Sequence, residues 1–272
     1  MTESFSQRHG YGGEDPPITV WEDASPEFRH AVLQVARDDC HLDPEQLRDL
    51  VCKLLRTRPN DNNWSPQNVW GEVVRLVEHC PWHKVYDLIE TIWHGLRDHH
   101  KFRGNLREDK EVFQEEVNIL MREFGIGWKL VKGSIEARGE ESYEIYLKSA
   151  EASLQAAGKA TANNELREAI KDLSRRPVPD TTGAIQHAMA ALECVARDAT
   201  GEKTRTLGAV LSRHPDLLPR PVDTAVEKLW GYSSEWGRHL QEGRDPGREE
   251  AMLIVGIAAS ISNYLVHKLP AS

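Results

Sequence analysis

Asp43-Pro44-Glu45-Gln46-Leu47-Arg48-Asp49-Leu50-Val51-Cys52-Lys53-Leu54-Leu55 decides the fold class. An aspartate before a proline before a glutamate is a helix start: the carboxylate caps free backbone N–H groups, and proline at the first helical position gives up an N–H that had no partner. Leu47, Leu50, Val51, Leu54 and Leu55 then fall on one stripe of a 3.6-residue turn. The same device stands on either side. Ser25-Pro26-Glu27 opens a helix to about Cys40, and Ser65-Pro66 opens one carrying Val69, Val73, Val74, Leu76 and Val77. Pro59 to Asn63 is the loop between the second and third helices. Pro81 interrupts before a fourth helix (Val85, Leu88, Ile89, Ile92, Leu96), and a charged stretch, His99 to Lys110, leads to a fifth from Val112 to about Phe124. One β signal follows: Gly127 to Val131 and Ser134 to Arg138 flank Lys132-Gly133 as two short strands around a tight turn. A hairpin alone is marginal in water, so it is expected to pack on neighbouring helices.

Beyond the hairpin the pattern returns to helices. Glu140 to Gly158 reads as a charged connecting helix, and Lys159 to Asn164 as the domain junction. Helices follow from Glu165 to about Arg176, Gly183 to Thr200 (capped by Asp180-Thr181-Thr182 and stopped by Gly201), Leu207 to about Ser212, Val222 to about Gly243, and Glu249 to Leu269. The expected fold is mainly α: an N-terminal helical domain with a small β-hairpin over 1–140, a connecting helix over 141–164, and a C-terminal antiparallel four-helix bundle with a short accessory helix over 165–272. No internal repeat is visible.

Composition supports two modest domains. The chain has 272 residues, 39% hydrophobic and 28% charged, enough for a core and against wholesale disorder. A net charge of -9 excludes a surface that is basic throughout. Residues 161–272 are nearly neutral, so a phosphate-facing site is less opposed there. Cys40, Cys52, Cys80 and Cys194 form no CxxC pair, and the polar start has no apolar signal core. Free thiols and a cytoplasmic location are expected. The longest uncharged run, Ala251 to Val266, is shorter than the roughly 20 apolar residues of a spanning helix. It is expected to be a core helix, with no membrane segment in the chain.

Phosphate-binding glycine loops, HExxH and GxSxG are all absent. Cys80-Pro81-Trp82-His83 lacks the second ligand pair that a structural zinc site needs, so neither a metal nor a cofactor is expected. Arg8 and His9, inside Phe5-Ser6-Gln7-Arg8-His9-Gly10-Tyr11, could bind a phosphate or carboxylate; an arm tied down by Phe5 and Tyr11 is the favoured reading. Trp64, Trp70, Trp82 and Trp93 sit among Val and Leu at helical spacings, which favours packing over base stacking. The segment Trp230 to Arg244 stands out, with Arg238 and His239 following Gly237 near a helix end. Neutral histidine can take the proton of a 2′-hydroxyl, and its imidazolium can protonate a leaving oxygen. Arginine stays charged and can stabilise a crowded phosphate. The plainer alternative is a histidine capping a helix C-terminus beside a surface ion pair.

Ala184 to Arg197, Gly237-Arg238-His239, and Glu249-Glu250-Ala251 through Asn263-Tyr264-Leu265 together make residues 161–272 resemble a HEPN domain, an all-α module of prokaryotic immunity and toxin systems. The first half, from Phe5 to Tyr11 through the Trp128 hairpin, is similar to the N-terminal domains of AbiJ-type abortive infection proteins. The resemblance implies a homodimer whose Arg/His sets face one RNA-binding cleft and cut without metal. His239 would be the general base and acid, and Arg238 the phosphate clamp. The family's arginine lies four to six residues before its histidine, where this chain has Ser233, Ser234 and Glu235. Arg244, five residues after His239, could substitute, and the i,i+4 pair Glu193–Arg197 could support the site together with Glu235. The competing expectation is a non-cleaving HEPN fold that binds RNA or a protein partner such as an antitoxin.

Overall fold

The computed structural model describes residues 16–96, 109–238 and 246–269, with side chains from 234 to 238 left aside. The chain divides into two compact units, Met1–Arg138 and Gly139–Ser272.

In the first unit, Ser25 Oγ accepts the Phe28 N–H at 3.2 Å to start α1 (Pro26–Gln34). The helix expected to run on to Cys40 changes pitch instead. Val35–Asp39 form a π turn, closed by the Cys40 N–H on the Val35 carbonyl at 3.1 Å. The extra residue per turn is the usual form of a π-bulge. Asp43 builds a full capping box with Gln46 at the head of α2 (Pro44–Leu55), and Ser65 caps α3 (Pro66–His79). α4 (Trp82–Gly95) and α5 (Asp109–Glu123) complete the helices described in this unit. Phe28, Leu33, Leu47, Ile89, Ile92, Phe113 and Met121 are fully buried and form its core. Trp64 projects from the loop before α3 at 81% exposure, while Trp70 lies under the Arg37 guanidinium at 4.2 Å.

The hairpin is the expected one. β1 (Trp128–Val131) pairs antiparallel with β2 (Ser134–Ala137), Leu130 opposite Ile135. Helix side chains replace the missing further strands. Asn118 of α5 brackets Leu130, accepting its N–H at 2.7 Å and donating to its carbonyl at 2.9 Å. Gln114 accepts the Lys132 N–H, and Glu90 of α4 the Ile135 N–H. Buried Arg29 is the other tie: it donates to the carbonyls of Ala24, Val77 and Cys80, so one guanidinium satisfies the open C-terminal end of α3.

The second unit is entirely helical among its described residues: α6 (Glu141–Ala156), α7 (Ala160–Ser174), α8 (Thr181–Thr200), α9 (Leu207–Arg213), α10 (Val222–Arg238) and α11 (Arg248–Val266). α8 is central and packs on α7, α9, α10 and α11. The segment expected as a connecting helix does more than connect. Leu147, Ala150 and Leu154 bury one face of α6, which packs on α11 and α7. Ser153 also donates to Asn263 of α11 at 2.5 Å. α11 is the one described helix long and apolar enough to cross a membrane by length and composition. Its face through Ala251, Val255, Ala258, Ser262 and Leu265 is buried, with α8, α6 and α7 packed against the helix.

Candidate functional site

The sequence points to the end of α10. Arg238 is its last described residue, and Glu235 stands one turn earlier on the same helix. Their side chains, and the whole of His239 and Arg244, lie outside the described residues. What is described is the part of α10 before them in the chain. Trp230 of α10 lies over Gly208 of α9, where even a Cβ would approach the indole to 3.2 Å. Ser233 is buried and donates to the Trp230 carbonyl at 2.8 Å. Arg238 follows Trp230 by two turns, about 12 Å along the helix axis.

The supporting pair is fully described. Glu193 and Arg197 meet on α8 at 2.5 Å, both partly shielded. Each also reaches beyond its own helix. Glu193 accepts the Leu207 N–H at 2.7 Å, serving a free donor at the head of α9, and Arg197 donates to the Arg205 carbonyl at 2.6 Å. The pair therefore braces the α8–α9 connection.

Beside that brace is a cluster that sequence reading missed. Glu202 is met by Arg205 at 3.2 Å, Arg213 at 3.3 Å and His214 at 3.3 Å. Partial burial pushes its carboxyl up, but the His214 hydrogen bond and the charges of Arg205 and Arg213 outweigh that and hold it below the ordinary range. Only Glu202–Arg205 has a spacing legible as a local pair; Arg213 and His214 arrive through the fold of the loop. A second missed cluster joins α7 to α8. His187 Nδ1 faces Glu165 at 2.7 Å and its Nε2 faces Asp172 at 3.7 Å. Asp172, 2% exposed, also meets Arg175 at 2.8 Å. Burial pushes the Asp172 carboxyl up, against the lowering pull of Arg175.

Among the described residues no group of three or more His, Cys, Asp or Glu side chains is placed to hold a metal ion. The exposed His79 has its Nδ1 on the Arg75 carbonyl at 2.8 Å, and the Cys80 thiol donates to the Val77 carbonyl.

The model of the AbiJ N-terminal domain 4 family matches residues 3–153, more than half of the chain. The chain belongs to that family. The AbiJ match covers the first unit and runs into α6, which packs with the second unit. Membership makes this an abortive-infection, defence-type protein. No curated protein and no solved structure matched the chain.

Proposed function

We propose that this AbiJ-family chain carries a HEPN-like, metal-independent endoribonuclease in its second unit, with Arg238 and His239 at its centre. The observation that carries the reading is that α10, seated on the central helix α8, brings the chain to Arg238, with His239 next in the sequence.

The reaction needs no group beyond these. His239 takes the proton of a ribose 2′-hydroxyl, whose oxygen then bonds to the adjacent phosphorus. The bond from phosphorus to the 5′-oxygen breaks, and an imidazolium supplies that oxygen's proton. Arg238 stabilises the phosphate as charge gathers on it. The products are a 2′,3′-cyclic phosphate and a 5′-hydroxyl end. Two copies facing one cleft would supply one imidazole to take the proton and a second to give it.

A second reading is a non-cleaving module for RNA or a protein partner. Adjacent residues on a helix point about 100° apart, so an Arg238 still in helical conformation does not share His239's direction. One experiment separates the two readings. Purified protein is incubated with total RNA in EDTA beside His239→Ala. Cleavage by the wild type, with cyclic phosphate ends, and none by the variant is the expected result. Equal cleavage by both removes His239 from the chemistry, and cleavage by neither favours the binding module.

A further inference from the structure

The first unit contains a groove whose charged lining has a single sign. It follows the C-terminal ends of α2 and α3 and the start of α4, where two hollows adjoin at Leu55 and Pro81. The larger, about 640 Å³, runs along Leu50, Leu54 and Leu55 beneath Lys53, Arg56 and Lys84. The smaller, about 350 Å³, lies against Leu76 and carries Arg75 and His79. The four leucines are half-buried, and among the described residues no aspartate or glutamate lines either hollow. Lys84 is held by Asp87 at 2.7 Å. Lys53, Arg56 and Arg75 are exposed and have no acidic partner among the described residues. One wall is fixed from behind, because Arg29 holds the Val77 and Cys80 carbonyls at the α3–α4 break.

Helix-end electrostatics explain part of this. Lys53 and His79 fall in the last turns of α2 and α3, where a cation offsets the macrodipole. That leaves Arg56, Arg75 and the half-buried leucine floor without a role among the described residues, in a chain whose net charge is -9. An aliphatic floor under a cationic rim matches an amphipathic helix that sets leucine-like anchors at i, i+3, i+4 and i+7 into the floor and flanks them with carboxylates. Single-stranded RNA is the weaker match, since base stacking favours broad aromatic platforms and the described lining holds no Phe, Tyr or Trp.

We propose that this groove docks an acidic amphipathic helix of a partner protein. The proposal rests on the defence-protein reading for its purpose, as the contact through which the first unit meets a regulator or trigger, but not on the nuclease chemistry. The test uses the full chain and a fluorescein-labelled peptide of glutamates with leucines at i, i+3, i+4 and i+7, read by fluorescence anisotropy. Lys53→Glu/Arg75→Glu should weaken binding at least about tenfold. Lys53→Gln/Arg75→Gln should weaken it in the same direction, and Lys171→Glu on the surface of the second unit should leave it unchanged. A peptide of the same composition in scrambled order should bind much more weakly. Thermal melts that overlay the wild type establish that the exposed substitutions leave the fold intact. Absence of peptide binding, equal binding of the scrambled peptide, or undiminished affinity in the charge-reversed variant overturns the proposal. A labelled single-stranded RNA that binds the wild type and is lost in that variant, while the peptide is unaffected, overturns it in favour of an RNA surface. Cleavage is not read, so either proposal can fail without the other.

Discussion

Asp172 shows how one side chain can be well placed and still cost stability. It is 2% exposed, and burial raises its carboxyl above the ordinary 3.8 although Arg175 and His187 pull the other way. A raised carboxyl binds its proton more tightly folded than unfolded. Its contribution to stability is therefore fully present below the unfolded pKa and is lost as pH rises through the folded one. Asp172→Asn keeps the shape and removes the titration. Urea melts from acid toward neutral pH should show the wild type losing stability relative to Asp172→Asn as pH rises through the carboxylate range. A parallel pair of curves would show that the burial has no thermodynamic weight. Neither the burial nor the His187 contact was legible in the sequence, where Asp172 and His187 are separated by a loop and a helix start.

Among elements, the β-hairpin was the most readable, because its turn demands particular backbone angles. Lys132 and Gly133 both have positive φ, at 48° and 85°, the geometry of a tight two-residue turn. Gly133 is needed twice over: a Cβ there would collide with the Trp93 ring of α4. Gly133→Ala should destabilise the chain by about 2 kcal/mol, combining left-handed strain with the collision, visible as a lower midpoint in thermal melts. An unchanged midpoint would mean that the turn yields freely. The helices were legible from their starts, since Ser25, Asp43 and Ser65 each cap the helix they were expected to open. The π turn at Val35–Asp39 was not, because one extra residue in a turn is a response to packing and leaves the 3.6-residue pattern almost unaltered. The role of α6 was missed for a related reason. Its buried stripe is only Leu147, Ala150 and Leu154 within a charged surface, and its partner α11 lies about 110 residues away in the chain.

At the scale of the molecule, the nuclease reading expects two copies, whose facing imidazoles would let one take a proton while the other gives one. Multi-angle light scattering of the purified full chain should return a mass near twice 30.8 kDa. A monomer at micromolar concentration would leave each Arg238–His239 set without its mate. The AbiJ match ends at residue 153 while α6 continues to Ala156 and packs on α11 and α7. The family boundary thus falls inside α6, and the packing boundary just before it. Truncation at Arg138 would remove α6 from the AbiJ region, and truncation at Ala156 would strip the second unit of the helix covering α11.

By itself the sequence determined the helical class, the hairpin and the helix starts, because caps, turns and amphipathic stripes act over four or five neighbouring residues. Only the tertiary structure decided that α6 belongs to the second unit's packing, that Glu193 and Arg197 brace the head of α9, and that Glu202 gathers Arg205, Arg213 and His214. It alone also brought the ends of α2 and α3 together over a leucine floor. These depend on residues far apart in the chain, and short-range patterns carry no record of which stripes will meet.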